Sequence, residues 1–490
     1  MCALSVADHL LSLRALLPEA EFLGADDIHP LRCTSDSRRV RPGDLFAALP
    51  GQRYDGHQFI SEAVRRGAAS VLCERPPEGL GVPCGVVPHV CHAYGRVCQA
   101  LAGNPSRQLK LIGVTGTNGK TTTSCLIASV LLKGGHRVGI SGTLGYFDGL
   151  EVEPAAHTTP PADVLAPLLA RMLANECTHA TMEISSHALA QNRIAGVRLD
   201  VACVTNVSRD HLDYHGTLND YRLAKSKVFD YLAPEGFAVV NADDAIAAGF
   251  LRHFAGPALT VGIHKPAEIT ATPVEQFPSE QTFLLTAGSE TVPVRTRMIG
   301  THHIYNCLTA AAVGLTYGLD LMTVVSGLEA VDYVPGRLQR IECGQPFSLF
   351  IDFAHTPDAL AASLRALRQV ISGRLICVFG AGGDRDRRKR PLMGQEAEKL
   401  ADCVVLTSDN PRSEDPLEIV DEILEGFRQP PAAHVILDRI EAVHWALAHA
   451  QPGDCVLIAG KGHEDYQIVG EERIAMDDRQ IAEEWLYARE

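Results

Sequence analysis

Short apolar runs alternate with polar, glycine-bearing turns and helically spaced stretches from Leu109 almost to the end of the chain. "LKLIGV" reads as a strand and "TGTNG" as a turn. "TTTSCLIASVLLKGG" then reads as a helix closed by Gly134 and Gly135, since glycine tolerates the left-handed conformation that ends helices. "RVGISGT", "HATMEISS" and "DVACVTNVS" are further apolar runs between helical stretches, a pattern that predicts parallel strands with crossover helices. After "VPGRLQRIE" the alternation restarts with "SLFIDFAH", "RLICVFGAGGD", "CVVLTSDNP" and "CVLIAGKGHE", which predicts a Rossmann-like domain. The first hundred or so residues carry shorter runs broken by "RPGD" and "LPGQRYDG", as in a small α/β domain. The expected fold is therefore α/β in three domains, over residues 1–106, 107–337 and 338–490. The opening "MCALSVADHLLSLRALLPEAEF" has Asp8 and Arg14 inside its apolar run and no small-residue cleavage site. It predicts an amphipathic helix, not a signal peptide.

Composition narrows the class. A length of 490 residues suits about three domains, and 46% hydrophobic with 21% charged residues describes a soluble globular chain. A net charge of −15 argues against a general nucleic-acid or anionic-membrane surface, so any phosphate site must gather its cations locally. No apolar run approaches the roughly 18 residues a membrane span needs. The 14 cysteines are scattered without C-x-x-C pairs. That suits reduced thiols in a cytoplasmic protein and argues against structural zinc or a disulfide framework. A monomer is expected.

Candidate chemistry sits in the turns. In "VTGTNGKTTT", a standard phosphate loop would put its first glycine at Val114, yet the glycine comes at Gly116. The strand–turn–helix context is right all the same. Gly116 and Gly119 let backbone N–H groups approach phosphate oxygens, Lys120 adds a point charge, and Thr121 can offer a hydroxyl to Mg²⁺. "MEISSHAL" puts Glu183 near a strand's carboxyl end, where ligands gather and a carboxylate can hold Mg²⁺; the motif alone also fits a helix-capping acid. "TNVSRDHLDYHG" sets Asn206, Asp210, His211 and Asp213 just past another strand, and spacing leaves His211 open between a structural and a catalytic part. Lys225 in "DYRLAKSKVFDYL" reads by pattern as a surface lysine. "GAGGDRD" has Arg385 where a dinucleotide fingerprint needs a small residue, which argues against NAD(P). "DRDRRKRP" also fits a solvated charge run. With "SDNPRSEDP" and "AGKGHEDYQ", however, it follows a strand, and three polar turns at one sheet edge imply a common pocket.

Taken together, "GVTGTNGKTTT", "MEISSHAL", "TNVSRDHLDYHG", "YRLAKSKVF", "THHIYN", "PGRLQRI", "DFAHTPDAL", "GAGGDRDRRKRPLM", "TSDNPR" and "GKGHEDYQ" closely resemble the Mur ligases. The resemblance runs in order along essentially the whole chain, and the late-starting loop is that family's own form. It implies an N-terminal UDP-sugar domain, a central ATPase and a C-terminal amino-acid domain, acting in cytoplasmic peptidoglycan synthesis. The match within the family implies addition of meso-diaminopimelate to the D-Glu γ-carboxylate of UDP-MurNAc-L-Ala-D-Glu through an acyl phosphate, with ATP and Mg²⁺.

Residue by residue, the resemblance implies Gly116, Thr117, Asn118, Gly119, Lys120, Thr121 and Thr122 for the ATP phosphates. It implies Thr121 and Glu183 near Mg²⁺, His211 supporting the metal site, and Lys225 as an N-carboxylated lysine, a CO₂-derived carbamate ligand. Asn306, Arg337 and Asp352 match positions that handle the nucleotide, and His355 belongs to the same matching segment. Ser35, Ser37, Gln52, Arg53 and Tyr54 match the uridine region. His157, Thr158, Thr159, Ser185, Gln191 and Arg193 match positions around the muramoyl dipeptide, although an asparagine commonly stands where His157 does. Arg385 and Arg412 are expected at the distal carboxylate of diaminopimelate, with Asp409, Asn410 and Glu464 at its distal amine. Pro411 fixes the turn, and Gly460 leaves room for close backbone approach. The alternatives are an L-lysine-adding member, another Mur ligase, a folylpolyglutamate synthetase, and a nucleotide-gated regulator without ligase activity.

Overall fold

The computed structural model describes residues 11–51, 54–429 and 433–488. They fall into two compact units, one from residues 1–113, 136–202 and 227–236, the other from 114–135, 203–226 and 237–490.

In the first unit five strands stand in the order Glu21–Leu23, Cys84–Val86, Ser70–Cys73, Leu45–Ala47, Cys33–Thr34. All pair in parallel except Glu21–Leu23. Successive strand residues face opposite sides, and a parallel sheet needs cover on both. Accordingly Leu45, Ala47 and Leu72 pack with Val90 and Val97 of the helix Val90–Leu101, whereas Phe46, Val71 and Cys73 pack with Ile60 and Ala63 of the helix Ile60–Arg65. The expected N-terminal helix is much shorter in its described part, spanning only Leu13–Leu16. Ser12 caps it by accepting the Ala15 N–H at 3.0 Å, and Pro18 disfavours helical geometry at Leu17. Residues 1–10 lie outside the described residues. The same unit pairs Val138–Gly142 in parallel with His179–Glu183 and adds Gly145–Phe147 and Val152–Glu153 antiparallel.

In the second unit the helix Lys120–Lys133 packs on Thr301–Thr316 and Leu321–Glu329. Its approach is close: a Cβ at Gly327 would meet the Val130 Cα at 2.5 Å. Ile269–Gln276, Gln281–Ala287 and Glu290–Thr296 form an antiparallel meander that the parallel pattern did not anticipate. Its signature is the alternation of buried Phe283 and Leu285 with less buried neighbours, followed by a turn at Gly288 (φ +60°).

The same unit holds a six-stranded sheet in the order Gln339–Ile341, Ser348–Asp352, Cys455–Ala459, Leu375–Phe379, Cys403–Leu406, Ala433–Val435. Its last five strands are parallel. That direction sends the chain from Asp352, Ala459, Phe379 and Leu406 into "FAHTP", "GKGHE", "GAGGD" and "TSDNPR" at one sheet edge, the edge where open α/β sheets bind ligands. The described cysteines are free thiols. Among the described residues no helix is long and apolar enough to cross a membrane.

Candidate active site

The strand Lys110–Thr115 runs straight into the loop and then the helix Lys120–Lys133. Gly119 holds φ +85°, and a Cβ there would lie 2.5 Å from the Asn306 Oδ1. Residues 205–208 cradle the loop. Asn206 accepts the Asn118 N–H at 2.9 Å and donates to the Asn118 carbonyl at 3.0 Å, while Thr205 donates to the same carbonyl at 2.6 Å. Lys120 folds back to donate to the carbonyls of Gly116 and Thr117 at 3.0 and 2.9 Å. The Thr121 hydroxyl accepts from Arg337 at 3.0 Å, and Thr123 donates to Asn306 at 3.2 Å.

Lys225 is not a surface lysine. It is 1% exposed, its Nζ donates to the Gly116 carbonyl at 2.7 Å, and it sits 4.8 Å from the centre of the Tyr221 ring. Burial first, and the Lys120 charge second, push its amine well below the usual lysine range. His211 takes a left-handed φ of +53° and sets its Nε2 3.3 Å from Asp210. Against the cost of burial, His211, His355 and Lys389 hold the Asp210 carboxyl below its ordinary value.

At the carboxyl edge of the six-stranded sheet, Arg412 donates to the Gly383 carbonyl at 2.6 Å. A Cβ on Gly382 would stand 3.0 Å from the Arg412 Nη1 and 3.8 Å from the Arg385 Cγ, so both arginines flank one glycine turn. Burial, then the charge of Arg385, pull the Arg412 guanidinium below its usual value. Among the described residues neither guanidinium has a carboxylate at ion-pair distance; Glu414, a local candidate partner for Arg412, is instead held by Arg390 at 2.9 Å. Two residues before Arg412, Asn410 donates to Glu464 at 2.9 Å. A Cβ at Gly460 would meet the Asp409 Oδ2 at 2.5 Å.

Three sequence profiles match in order. The Mur ligase family catalytic domain matches residues 32–93, the Mur ligase middle domain 114–314, and the Mur ligase glutamate ligase domain 336–462. Proteins named UDP-N-acetylmuramoyl-L-alanyl-D-glutamate–2,6-diaminopimelate ligase are similar over nearly the full length. The one from Geobacillus thermodenitrificans is 43% identical, covering 91% of this chain and 93% of its own. The one from Solibacter usitatus is 40% identical, covering 99% and 98%. The chain belongs to the Mur ligase family. A solved structure carrying the same enzyme name superposes with a TM-score of 0.70 at 33% identity, covering 98% of this chain and 99% of that one. MurF from Acinetobacter baumannii, at 22% identity and a TM-score of 0.63, shares the fold.

In this Mur ligase the first unit joins most of the remaining candidates into one polar cluster. Glu183 is buried, accepting the Thr143 N–H at 2.8 Å and its hydroxyl at 3.0 Å. It does not cap the next helix, since Ser185 does so by accepting from Ala188 at 3.2 Å. Thr143 donates to Thr158 at 3.2 Å, Thr159 donates to the Glu183 carbonyl at 2.8 Å, and Arg193 binds both the Thr159 carbonyl at 3.0 Å and Gln191 at 2.8 Å. His157 accepts from Tyr146 through its carbonyl at 2.6 Å, and burial, then Arg193, lower its imidazole pKa. Away from that cluster, Ser37 donates to Glu62 at 3.2 Å, Ser35 lies near the buried Tyr94 hydroxyl, and Tyr54 is 66% exposed. Gln52 and Arg53 lie outside the described residues.

Asp352 spends its carboxylate on its own loops, accepting from the N–H groups of Leu338 and Ala354, while burial raises its pKa despite Arg337. Arg337 stacks 4.5 Å over Phe353. Sequence reading passed over Thr143 and Lys461. Lys461 is fully buried and reaches Asn410 at 3.3 Å and Glu464 at 3.4 Å. Thr143 directly follows the strand Val138–Gly142 and Lys461 stands two residues past Ala459, the one signal that marked them.

Proposed function

We propose that this chain adds meso-2,6-diaminopimelate to the D-Glu γ-carboxylate of UDP-MurNAc-L-Ala-D-Glu, with ATP, in cytoplasmic peptidoglycan precursor synthesis. As a Mur ligase it is an ATP-dependent enzyme that forms an amide bond. The choice of amino acid rests on one observation: two guanidiniums flank the Gly382 turn with no carboxylate at ion-pair distance among the described residues. Diaminopimelate and lysine differ by a distal carboxylate. A pair of planar guanidiniums fits that carboxylate, and Asp409, Asn410 and Glu464 suit the distal ammonium.

A carboxylate is a poor electrophile. Transfer of the ATP γ-phosphoryl group makes an O–P bond to the γ-carboxylate as the bond to ADP breaks. The amine then attacks the acyl carbon, loses a proton, and the tetrahedral adduct expels phosphate. Lys120 and the N–H groups of Gly116 to Thr122 compensate charge on the moving phosphoryl group. In this reading Asn306, Arg337 and Asp352 serve the nucleotide, and Ser35, Ser37, Gln52, Arg53 and Tyr54 the uridine. His157, Thr158, Thr159, Ser185, Gln191 and Arg193 serve the muramoyl dipeptide.

The family is Mg²⁺-dependent, and the donor chemistry fits. The Thr121 hydroxyl and the buried Glu183 carboxylate are hard oxygen donors of the kind Mg²⁺ takes. When bound, the ion would neutralise phosphoryl oxygen charge. An ammonium on Lys225 cannot serve as a ligand. Its buried amine, already at the Gly116 carbonyl, can add CO₂ and lose a proton to become an anionic carbamate that does, with His211 in support.

Phosphate release from ATP, measured with the UDP-dipeptide and a panel of amino acids, tests the proposal. Release should require both the dipeptide and meso-diaminopimelate. Release with either alone, or with another amino acid preferred, overturns it.

A further inference from the structure

Arg390 and Arg439 are the largest fully buried side chains among the described residues, and Arg390 has no part in the proposed chemistry. It stands at the start of the helix Lys389–Leu400. Its guanidinium binds both oxygens of Glu414 at 2.9 Å, one oxygen of Glu422 at 2.7 Å and the Gly382 carbonyl at 3.1 Å. Glu414 also accepts the Asp384 N–H at 2.5 Å, and Asp384 accepts from the Ser413 hydroxyl at 2.7 Å. The Gly383 N–H reaches the Asn410 carbonyl at 2.9 Å. Two turns, 382–385 and 410–414, are thus stitched together around one cation.

Both turns are strained. Asp384 holds φ +52° and Arg412 φ +54°, a region costly for residues with a Cβ and kept only where the surroundings over-determine it. Those turns carry Arg385 and Arg412. Stability does not account for the network, since well-packed apolar residues often replace a buried ion pair with no loss of stability. Geometry does account for it. A forked guanidinium across a carboxylate fixes direction as well as distance, and the Arg390 bonds, ahead of the other influences, hold the Glu414 carboxyl below its usual range and so ionised.

We propose that Arg390 and Glu414 are positioning residues that lock the Asp384 and Arg412 turns so that Arg385 and Arg412 address one distal carboxylate. The inference rests on the amino-acid-pocket reading of those two arginines.

The test is Glu414→Gln against Glu422→Gln, each assayed for KM of the amino acid, ATP and the UDP-dipeptide. Glu422 shares Arg390 but makes no bond to the Asp384 turn, so it controls for loss of buried charge. Glu414→Gln should raise KM for diaminopimelate about tenfold or more, the scale of a small misplacement of a binding group, with the other two constants unchanged. Glu422→Gln should leave all three near wild type. An unchanged KM for the amino acid in Glu414→Gln, parallel rises in all three constants, or an equal effect of Glu422→Gln overturns the proposal. If Glu414→Gln fails to fold, Ser413→Ala removes only the bond to Asp384 and should raise the same KM by about threefold, as one hydrogen bond does; no rise overturns it. A wild-type enzyme that ignores diaminopimelate refutes the substrate reading instead, and the clamp is then tested with the amino acid it does use.

Discussion

Lys225 Nζ donates to the Gly116 carbonyl at 2.7 Å, so a side chain from a distant helix touches the first glycine of the phosphate loop. At that point a neutral amine is favoured, because burial and the Lys120 charge both oppose the ammonium. Lys225→Ala should lower turnover by about 10²-fold, the scale seen when a group supporting a metal site is lost. Added formate or acetate should restore part of the activity by supplying a carboxylate. A fully active Lys225→Ala, or no rescue by any short carboxylate, contradicts the carbamate.

Lys120 donates to the Gly116 and Thr117 carbonyls of its own loop, a place outside the packed core. Lys120→Ala should keep the wild-type melting temperature and lose on the order of 10²-fold or more in kcat, as expected when charge stabilisation of a transition state is removed. Near-normal kcat rules out the phosphate-loop reading.

Removing Arg412 leaves a desolvated substrate carboxylate without its partner. Arg412→Ala should therefore cost about 2–5 kcal/mol in binding, read as a raised KM for diaminopimelate with KM for ATP unchanged. If all the kinetic constants move together, Arg412 serves the fold and not the pocket.

Two buried histidines set an acid limit. Burial, followed by the charge of His136, holds the His179 imidazole down to about 4. Burial, then His302 and Arg337, holds His303 well below 6.5, and neither of its ring nitrogens has a hydrogen-bond partner. A base whose folded pKa is depressed binds its proton more readily when unfolded. The stability it allows is complete above about 6.5 and is lost as pH falls toward 4. Melting temperature should drop by several degrees between pH 7 and pH 5, and His303→Gln should flatten that slope. A melting temperature that rises on acidification contradicts the sign.

Much of this was legible along the chain, and the exceptions share a cause. The phosphate loop and its helix follow from local spacing, because strand, glycine turn and helix are contiguous. The edge carrying "GAGGD", "TSDNPR" and "GKGHE" follows from the direction of parallel strands. Lys225 was not legible by pattern: on its helix Leu223 is 56% exposed while the lysine is buried, the reverse of amphipathic expectation. Its acceptor, the Gly116 carbonyl, lies 109 residues away. Arg390 is hidden in the same way. "DRDRRKRP" fits a solvated charge run until Glu414 and Glu422, 24 and 32 residues on, fold back to bury one of its arginines. The meander over 269–296 was missed because the expectation there was built on parallel crossovers alone.

The most direct test of the central claim is a competition in one vessel. Wild-type enzyme, ATP, Mg²⁺ and UDP-MurNAc-L-Ala-D-Glu are supplied with equal concentrations of meso-diaminopimelate and L-lysine, and the nucleotide products are identified by mass. The two guanidiniums at Gly382 predict that the diaminopimelate adduct dominates, because lysine leaves both without a carboxylate. Equal amounts of the two adducts, or an excess of the lysine adduct, would contradict the account.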